Sequence, residues 1–384
     1  MEKNLSKALD AIKKKYGKDS EDIIYNPDAD VESCSSGSQI IDCVTGTGGF
    51  LIKKKLVEIA APESSGKTTL CLMSCAEAQK KGWVGVFIDV EQAFDYNYAR
   101  KLGVNLDNKT FFVVQPTFAE QAEKVIDIIV DSTELDYIII DSVAAMKPEA
   151  QVYAKDSTGV GRIKGEHAMF WSNYSPKLQM IAKDEDLAVL MTNQVRQKIS
   201  IGSMYQPKAV KSSGIGTGFS QDDSWTTTGG NALKFYLSSR YLLGFRKAYT
   251  EENEKKEKVK LGNVITINNV KNKLAAPYTK ADFVIRFRGG VGVDDLPIIF
   301  EKLKEAKFIE YKGGQYTMED SEFVKGFSEK KLSDFMKVFR ENEEGVKALY
   351  KSRWEELHGE EDIDGELADK ELIDDELLVD ELDD

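Results

Sequence analysis

Between residues 34 and 285 the chain alternates short apolar runs with segments long enough to cross over a sheet. The runs are "LVEIA" (56–60), "VGVFIDV" (84–90), "FFVVQP" (111–116), "DYIIID" (136–141) and "LAVLMTNQ" (187–194). Near-continuous apolar runs belong to strands covered on both faces, and crossover-length spacers make such strands parallel. Two later runs, "FYLSSRYLLGF" and "NVITINNVK", flank the charged stretch "RKAYTEENEKKEKVKLG" and predict an antiparallel extension. The expected fold class is α/β, with a mixed, mostly parallel sheet.

Outside this core the pattern changes. In residues 1–33, Leu5, Ala8, Leu9, Ile12 and Tyr16 recur at helical spacing with lysines opposite, and Gly17 is a helix stop. So short an amphipathic helix cannot bury its stripe alone, so this arm is expected to pack on the core or on a neighbouring subunit. Residues 286–354 predict a small C-terminal α+β domain with two helices in "EKKLSDFMKVFRENEEGVKALYKSRWEEL". Two long segments interrupt the core, 154–167 and 195–230. Both leave the carboxyl ends of predicted strands, the edge at which open α/β sheets bind ligands, and loops this long in a compact domain are usually functional.

Charge divides the chain in two. The formal net charge is −13, yet residues 355–384 hold sixteen acidic residues against Lys370, a local −15, which leaves about +2 for the body. The tail is expected to be a solvated, disordered end, free to compete with polyanions for a basic surface. The body can therefore meet nucleic acid. No apolar run approaches the roughly 20 residues of a membrane span, and the four cysteines have neither zinc nor disulfide spacing. An intracellular, cytoplasmic protein is expected, with Cys71 and Cys75 as small core residues one helical turn apart.

The stretch "APESSGKTTL" (61–70) lies between the first apolar run and a helix-like segment ending near Gly82. A loop of the form G-x-x-x-x-G-K-[ST] wraps phosphate with backbone N–H groups, reaches the β and γ oxygens with its lysine, and holds Mg²⁺ with its hydroxyl. Gly66, Lys67 and Thr68 match, and Ala61 stands where the first glycine would be. Glu63, Ser64, Ser65 and Thr69 complete the candidate cradle. Asp141, at the end of "DYIIID", is placed to support the metal, and Glu91, after "VGVFIDV", to orient an attacking water.

The blocks "PESSGKTTL", "FIDVEQAFD" with "YARKLGV", "IIIDSVAA", "NQVRQKI", "TTTGGNALKFY" and "VKNKLAAP" occur in the order and spacing of the bacterial RecA recombinases. From the N-terminal helix to about residue 350 the sequence strongly resembles that family. The resemblance implies a RecA-type P-loop ATPase core that self-associates into helical filaments on single-stranded DNA, with ATP and Mg²⁺ at the subunit interfaces. Such a filament pairs its strand with homologous double-stranded DNA; single-strand-binding and loader proteins are further candidate partners. Carried over, Lys67 and Thr68 bind phosphate and Mg²⁺, Asp141 supports the metal, Glu91 activates water, and Asp95 and Tyr98 contact adenine. Gln194 senses the γ-phosphate, and Lys271 and Lys273 reach into the ATP of the next subunit, where a cation supplied in trans makes hydrolysis depend on assembly.

DNA contact is assigned to the two long loops. Arg162 and Lys164 in the first, and Arg196, Lys198, Lys208 and Lys211 in the second, are interleaved with glycines. Ile199 matches the family residue that inserts between base steps, and Gly229 and Gly230 match those that close the second loop on the DNA backbone. The departures are local. Thirty-one residues separate Gln194 from "TTTGG", about eighteen more than the family pattern; Met169 replaces an arginine, and Gln92 a histidine. A ring helicase of the same fold and an ATP-regulated structural filament coating DNA are the rival readings, and a small-molecule P-loop kinase, in which the two basic, glycine-rich loops would have no role, is the weakest.

Overall fold

The computed structural model describes residues 32–106, 109–153, 165–197, 225–252 and 257–358, together with Lys7, Ala11, Lys14 and Lys15. The chain divides into two compact units, residues 1–32 and 33–384. In the first, the four described residues are helical; the apolar stripe of the expected arm lies outside the described residues, as does the acidic tail beyond residue 358.

In the second unit β1 (Ser33–Cys34) and β2 (Leu51–Ile52) pair around α1 (Gln39–Thr45). There follow β3 (Lys55–Ala61), α2 (Lys67–Lys80), β4 (Gly85–Asp89), α3 (Tyr96–Lys101), β5 (Phe111–Val114), α4 (Ala119–Ser132) and β6 (Tyr137–Asp141). The chain continues through α5 (Glu149–Val152), α6 (Glu166–Asp184), β7 (Ala188–Gln197), β8 (Trp225–Thr227), α7 (Gly230–Tyr236), β9 (Ser239–Glu252), β10 (Lys258–Asn272), β11 (Lys280–Arg286) and β12 (Gly292–Asp294). Its last elements are α8 (Leu296–Glu305), β13 (Ile309–Lys312), β14 (Gln315–Met318), β15 (Phe327–Glu329), α9 (Leu332–Glu341), α10 (Glu343–Ser352) and α11 (Trp354–His358).

Ten strands form one sheet in the order β12-β11-β10-β9-β3-β7-β6-β4-β5, with β8 paired to β7. The block from β9 through β3, β7, β6 and β4 to β5 is parallel, and β9 to β12 are antiparallel. The mixed α/β sheet read from the apolar runs is the one observed. Strand alternation divides the core: Tyr137 and Ile139 face one side, Ile138 and Ile140 the other, and all four are fully buried. Each such side chain contributes about 1.5–3 kcal/mol on burial. Both faces are therefore sealed, and chemistry is left to the strand ends.

Three elements depart from the pattern. Phe235 and Tyr236, read with the strand "FYLSSRYLLGF", instead end α7, and β9 starts at Ser239. The charged stretch between β9 and β10 is mostly ladder rather than loop, because the hairpin register continues to pair Tyr249 with Gly262 and Glu251 with Val259. The segment 195–230 is not all loop: Val195–Gln197 pairs with Trp225–Thr227 as an antiparallel stem.

The C-terminal elements dock on the core through ions as well as apolar contacts. Asp294 accepts from Arg286 Nε at 2.6 Å and Arg340 at 3.0 Å. Asp295 accepts from Ser38 Oγ at 2.6 Å and the Gln39 N–H at 2.7 Å. Burial of such carboxylates is tolerable only with partners of this kind.

Candidate functional site

The sheet order fixes where the site lies. Strands β3 and β4 are consecutive in sequence, yet β7 and β6 lie between them. At such a switch the connections after neighbouring strands part and leave a crevice at their carboxyl ends. The register sets Ala61 beside Gln194 and Asp89 beside Asp141, so the phosphate loop, Gln194 and Asp141 share one edge.

The loop after β3 closes into α2 through Gly66 at φ +86°. A Cβ there would come within 2.1 Å of Ile285 Cδ1, so this position needs glycine for both conformation and space. The helix N-terminus that follows is a ready anion site. Lys67 Nζ donates to the carbonyls of Ala61 at 3.2 Å and Pro62 at 2.9 Å. Burial pushes its pKa down, while Asp141 and Glu91 pull it back up.

Asp141 is the centre of the hydroxyl network. Its two oxygens accept from Thr68 Oγ1 at 2.7 Å and Thr192 Oγ1 at 2.5 Å, and burial raises its pKa against both hydrogen bonds. Thr68 and Asp141 offer the hard oxygen donors that Mg²⁺ takes while keeping water and phosphate in the rest of its shell. Among the described residues no group of three or more His, Cys, Asp or Glu could hold a metal. Glu91 lies in the turn after β4 and accepts from Ser142 Oγ at 2.5 Å.

These side chains line a cleft of about 420 Å³ formed by Glu63, Ser64, Ser65, Gly66, Lys67, Thr68, Thr69, Glu91, Tyr98, Asp141 and Gln194. The Tyr98 hydroxyl lies 2.9 Å from Thr69 Oγ1. Asp95 is absent from the lining and instead caps α3, accepting from the N–H groups of Asn97 and Tyr98. The cleft also takes Asn263, Ile265, Ile285, Arg286 and Phe287, none of which the local pattern flags. Thr192 was within reach of it, since it stands two residues before Gln194 on the same strand face.

Gln194 leads directly into the stem of the second loop. Its N–H donates to Asn193 Oδ1 at 2.8 Å, and Asn193 Nδ2 donates to Glu58 at 2.7 Å and to the Thr228 carbonyl at 3.0 Å. Arg240 completes the buried group, donating to Glu58 at 2.6 Å and Thr227 at 3.1 Å. Exposed Arg196 lies on the stem. Gly229 and Gly230 both have positive φ and start α7, packed so closely that a Cβ on Gly229 would meet Leu233 and Val143. Arg162, Lys164, Lys198, Ile199, Lys208 and Lys211 lie outside the described residues.

Lys271 and Lys273 do not line the cleft. They converge on the carbonyl end of α7, with Lys271 Nζ 2.5 Å from the Lys234 carbonyl and Lys273 Nζ 2.9 Å from that of Phe235. Burial, then Lys273 and Arg240, bring the Lys271 pKa down to about 8. Phe235 beside them is 74% exposed.

Residues 3–292 match the RecA N-terminal domain family. The chain is 38% identical over 326 residues to the protein RecA of Nitrobacter winogradskyi, covering 84% of this chain and 82% of that one. It is 37% identical over 329 residues to the protein RecA of Mycoplasma mobile, with 85% and 90% covered. For the protein RecA of Campylobacter jejuni subsp. jejuni the figures are 36% over 371 residues, with 95% and 98% covered.

Proposed function

The chain belongs to the RecA family and is a recombinase of DNA recombination and repair, and from that premise we propose that it is a DNA-dependent ATPase whose turnover drives homologous pairing and strand exchange. The observation that carries this reading is the continuity at one sheet edge. Lys67, Thr68, Asp141 and Glu91 share the cleft with Gln194, and the strand bearing Gln194 runs on as one side of the second-loop stem.

ATP enters with its phosphates on the loop N–H groups. Lys67 exchanges its two carbonyl partners for β and γ oxygens, a short movement because its amine already lies over the loop. Thr68 and Asp141 would hold Mg²⁺, which when bound would supply positive charge against the phosphates. Glu91, oriented by Ser142, accepts hydrogen from the attacking water. Gln194 meets the γ-phosphate and biases the stem, so hydrolysis removes that bias; by reciprocity DNA on the loops strengthens ATP binding.

Lys271 and Lys273 act in the cleft of the next subunit, and exposed Phe235 belongs to the same subunit contact. The arm of residues 1–33 serves assembly, residues 34–285 form the ATPase core, residues 286–354 the C-terminal domain and residues 355–384 an acidic tail. Arg162, Lys164, Arg196, Lys198, Lys208 and Lys211 neutralise DNA phosphates while Ile199 wedges between bases. Each phosphate neutralised on a single strand adds about −0.7 to the log–log salt slope.

The test is ATP hydrolysis with and without unstructured single-stranded DNA at low and moderate salt. Strong stimulation that fades with salt is expected, together with joint molecules formed between homologous DNAs. Active protein that DNA leaves unstimulated, or stimulation without joint molecules, would favour the structural filament; processive unwinding of a long duplex would favour the helicase.

A further inference from the structure

Glu91 stands in the turn of residues 90–95 that joins β4 to α3, exposed at Glu91, Gln92 and Ala93. An exposed turn does not by itself hold a carboxylate in place. Here the Val90 and Glu91 N–H groups donate to the Asp141 carbonyl at 2.9 and 3.3 Å, and Ser142 Oγ donates to the Glu91 carboxylate. A further tie comes from Asp89, the last residue of β4. Its Oδ1 accepts from the Ala93 N–H at 3.2 Å and its Oδ2 from the Phe94 N–H at 2.9 Å, so one side chain closes the turn around Glu91. Gln115, just past β5, donates to the same Oδ2 at 2.9 Å and fixes the carboxylate from the neighbouring strand.

Such a carboxylate is unfavourable to keep. Asp89 is 2% exposed, and the groups that hold it are neutral N–H donors rather than a cation; burying a charge in that setting costs free energy. An amide could not take its place, because three N–H groups converge on two oxygens and an asparagine would turn its own NH₂ toward one of them. The turn also holds Gln92 at φ +55°, a left-handed conformation that persists in a residue with a side chain only where the surroundings enforce it. Asp89 supplies that enforcement, together with the Phe94 ring packed on Phe87 at 5.1 Å.

Asp89 does not line the cleft, whereas Glu91 does. Whatever it does for the reaction passes through the turn. We propose that Asp89, braced by Gln115, is a positioning residue that sets the turn so that Glu91 meets the attacking water. This rests on the role given to Glu91 under the proposed function and adds to it the group that holds Glu91 in register. The phosphate loop follows a different strand, so ATP binding should not depend on Asp89.

The test is DNA-stimulated ATP hydrolysis by the full chain, with kcat and KM separated, in Asp89→Asn, Glu91→Gln and the double variant. Misplacing a reacting group by about 1 Å can cost about 10²-fold, so Asp89→Asn should lower kcat by about 10–100-fold and leave KM for ATP within about twofold. In the Glu91→Gln background the same substitution should change kcat by no more than about twofold, because the group it positions is gone. Gln115→Met, which leaves both backbone bonds of Asp89 intact, should give a smaller loss of about threefold that also vanishes in the Glu91→Gln background. A kcat left at the wild-type value in Asp89→Asn would overturn the proposal and leave Glu91 as it stands. So would a loss that multiplies with that of Glu91→Gln, or one confined to KM, since either is what a merely structural role gives. Wild-type turnover in Glu91→Gln would overturn the Glu91 reading and this proposal with it.

Discussion

Lys67 and Lys271 are two partly buried amines in opposite electrostatic settings. Each rests on backbone carbonyls, and burial lowers the pKa of each. Around Lys67 the next influences are Asp141 and Glu91, carboxylates that favour its charge. Around Lys271 they are Lys273 and Arg240, cations that oppose it, with buried Glu58 as a weaker counterweight. The first site is balanced within the chain. The second carries an excess of positive charge set against the carbonyl end of a short helix, next to an exposed phenylalanine. On the proposed function, the difference separates a site that works in cis from one that meets an anion of the neighbouring subunit.

The largest break in this comparison is Lys67→Ala. Removing the only cation among the cleft's loop residues should lower DNA-stimulated ATP turnover by at least about 10³-fold, measured at saturating ATP. A loss below tenfold would mean that the phosphate charge is met elsewhere. Next is Gln194→Ala, which leaves both lysines in place and cuts the path between cleft and stem. Couplings of this kind amount to about 1–3 kcal/mol, so stimulation by single-stranded DNA should fall to within about twofold of the unstimulated rate. Persistent stimulation would remove Gln194 from the switch.

These residues differ in how readable they were. Lys67 and Thr68 follow a strand and open a helix within ten residues, so spacing alone places them, and Asp141 ends a fully apolar run for the same local reason. Gln194 was legible as the end of a strand. Asn263, Ile285 and Phe287 were not, because they reach the cleft through the register of an antiparallel hairpin, and no local pattern states which strand of a sheet lies across from a helix start. The stem at Val195–Gln197 was hidden likewise: its partner Trp225–Thr227 follows a long insertion. Phe235 and Tyr236 were misplaced because an apolar pair at the end of a helix and at the start of a strand looks alike over so short a window.

The finest test of the comparison is pH, because the surroundings of Lys271 bring its pKa down toward neutrality. With a pKa of about 8, its amine is charged below pH 8 and loses its proton above. If assembly sets it against a phosphate of the neighbouring subunit, the anion raises its pKa, and association above pH 8 must then take up a proton. Linkage gives the sign: nucleotide-driven self-association weakens as pH rises, by up to about tenfold per unit between the free and the bound pKa. Sedimentation of the full chain with ATP should show this fall from pH 8 to 9. Lys271→Arg should flatten it, because a guanidinium stays charged throughout, and it should do so even if the changed geometry weakens assembly at every pH. An equal fall in the arginine variant would place the titrating group elsewhere and leave Lys271 without a partner across the interface.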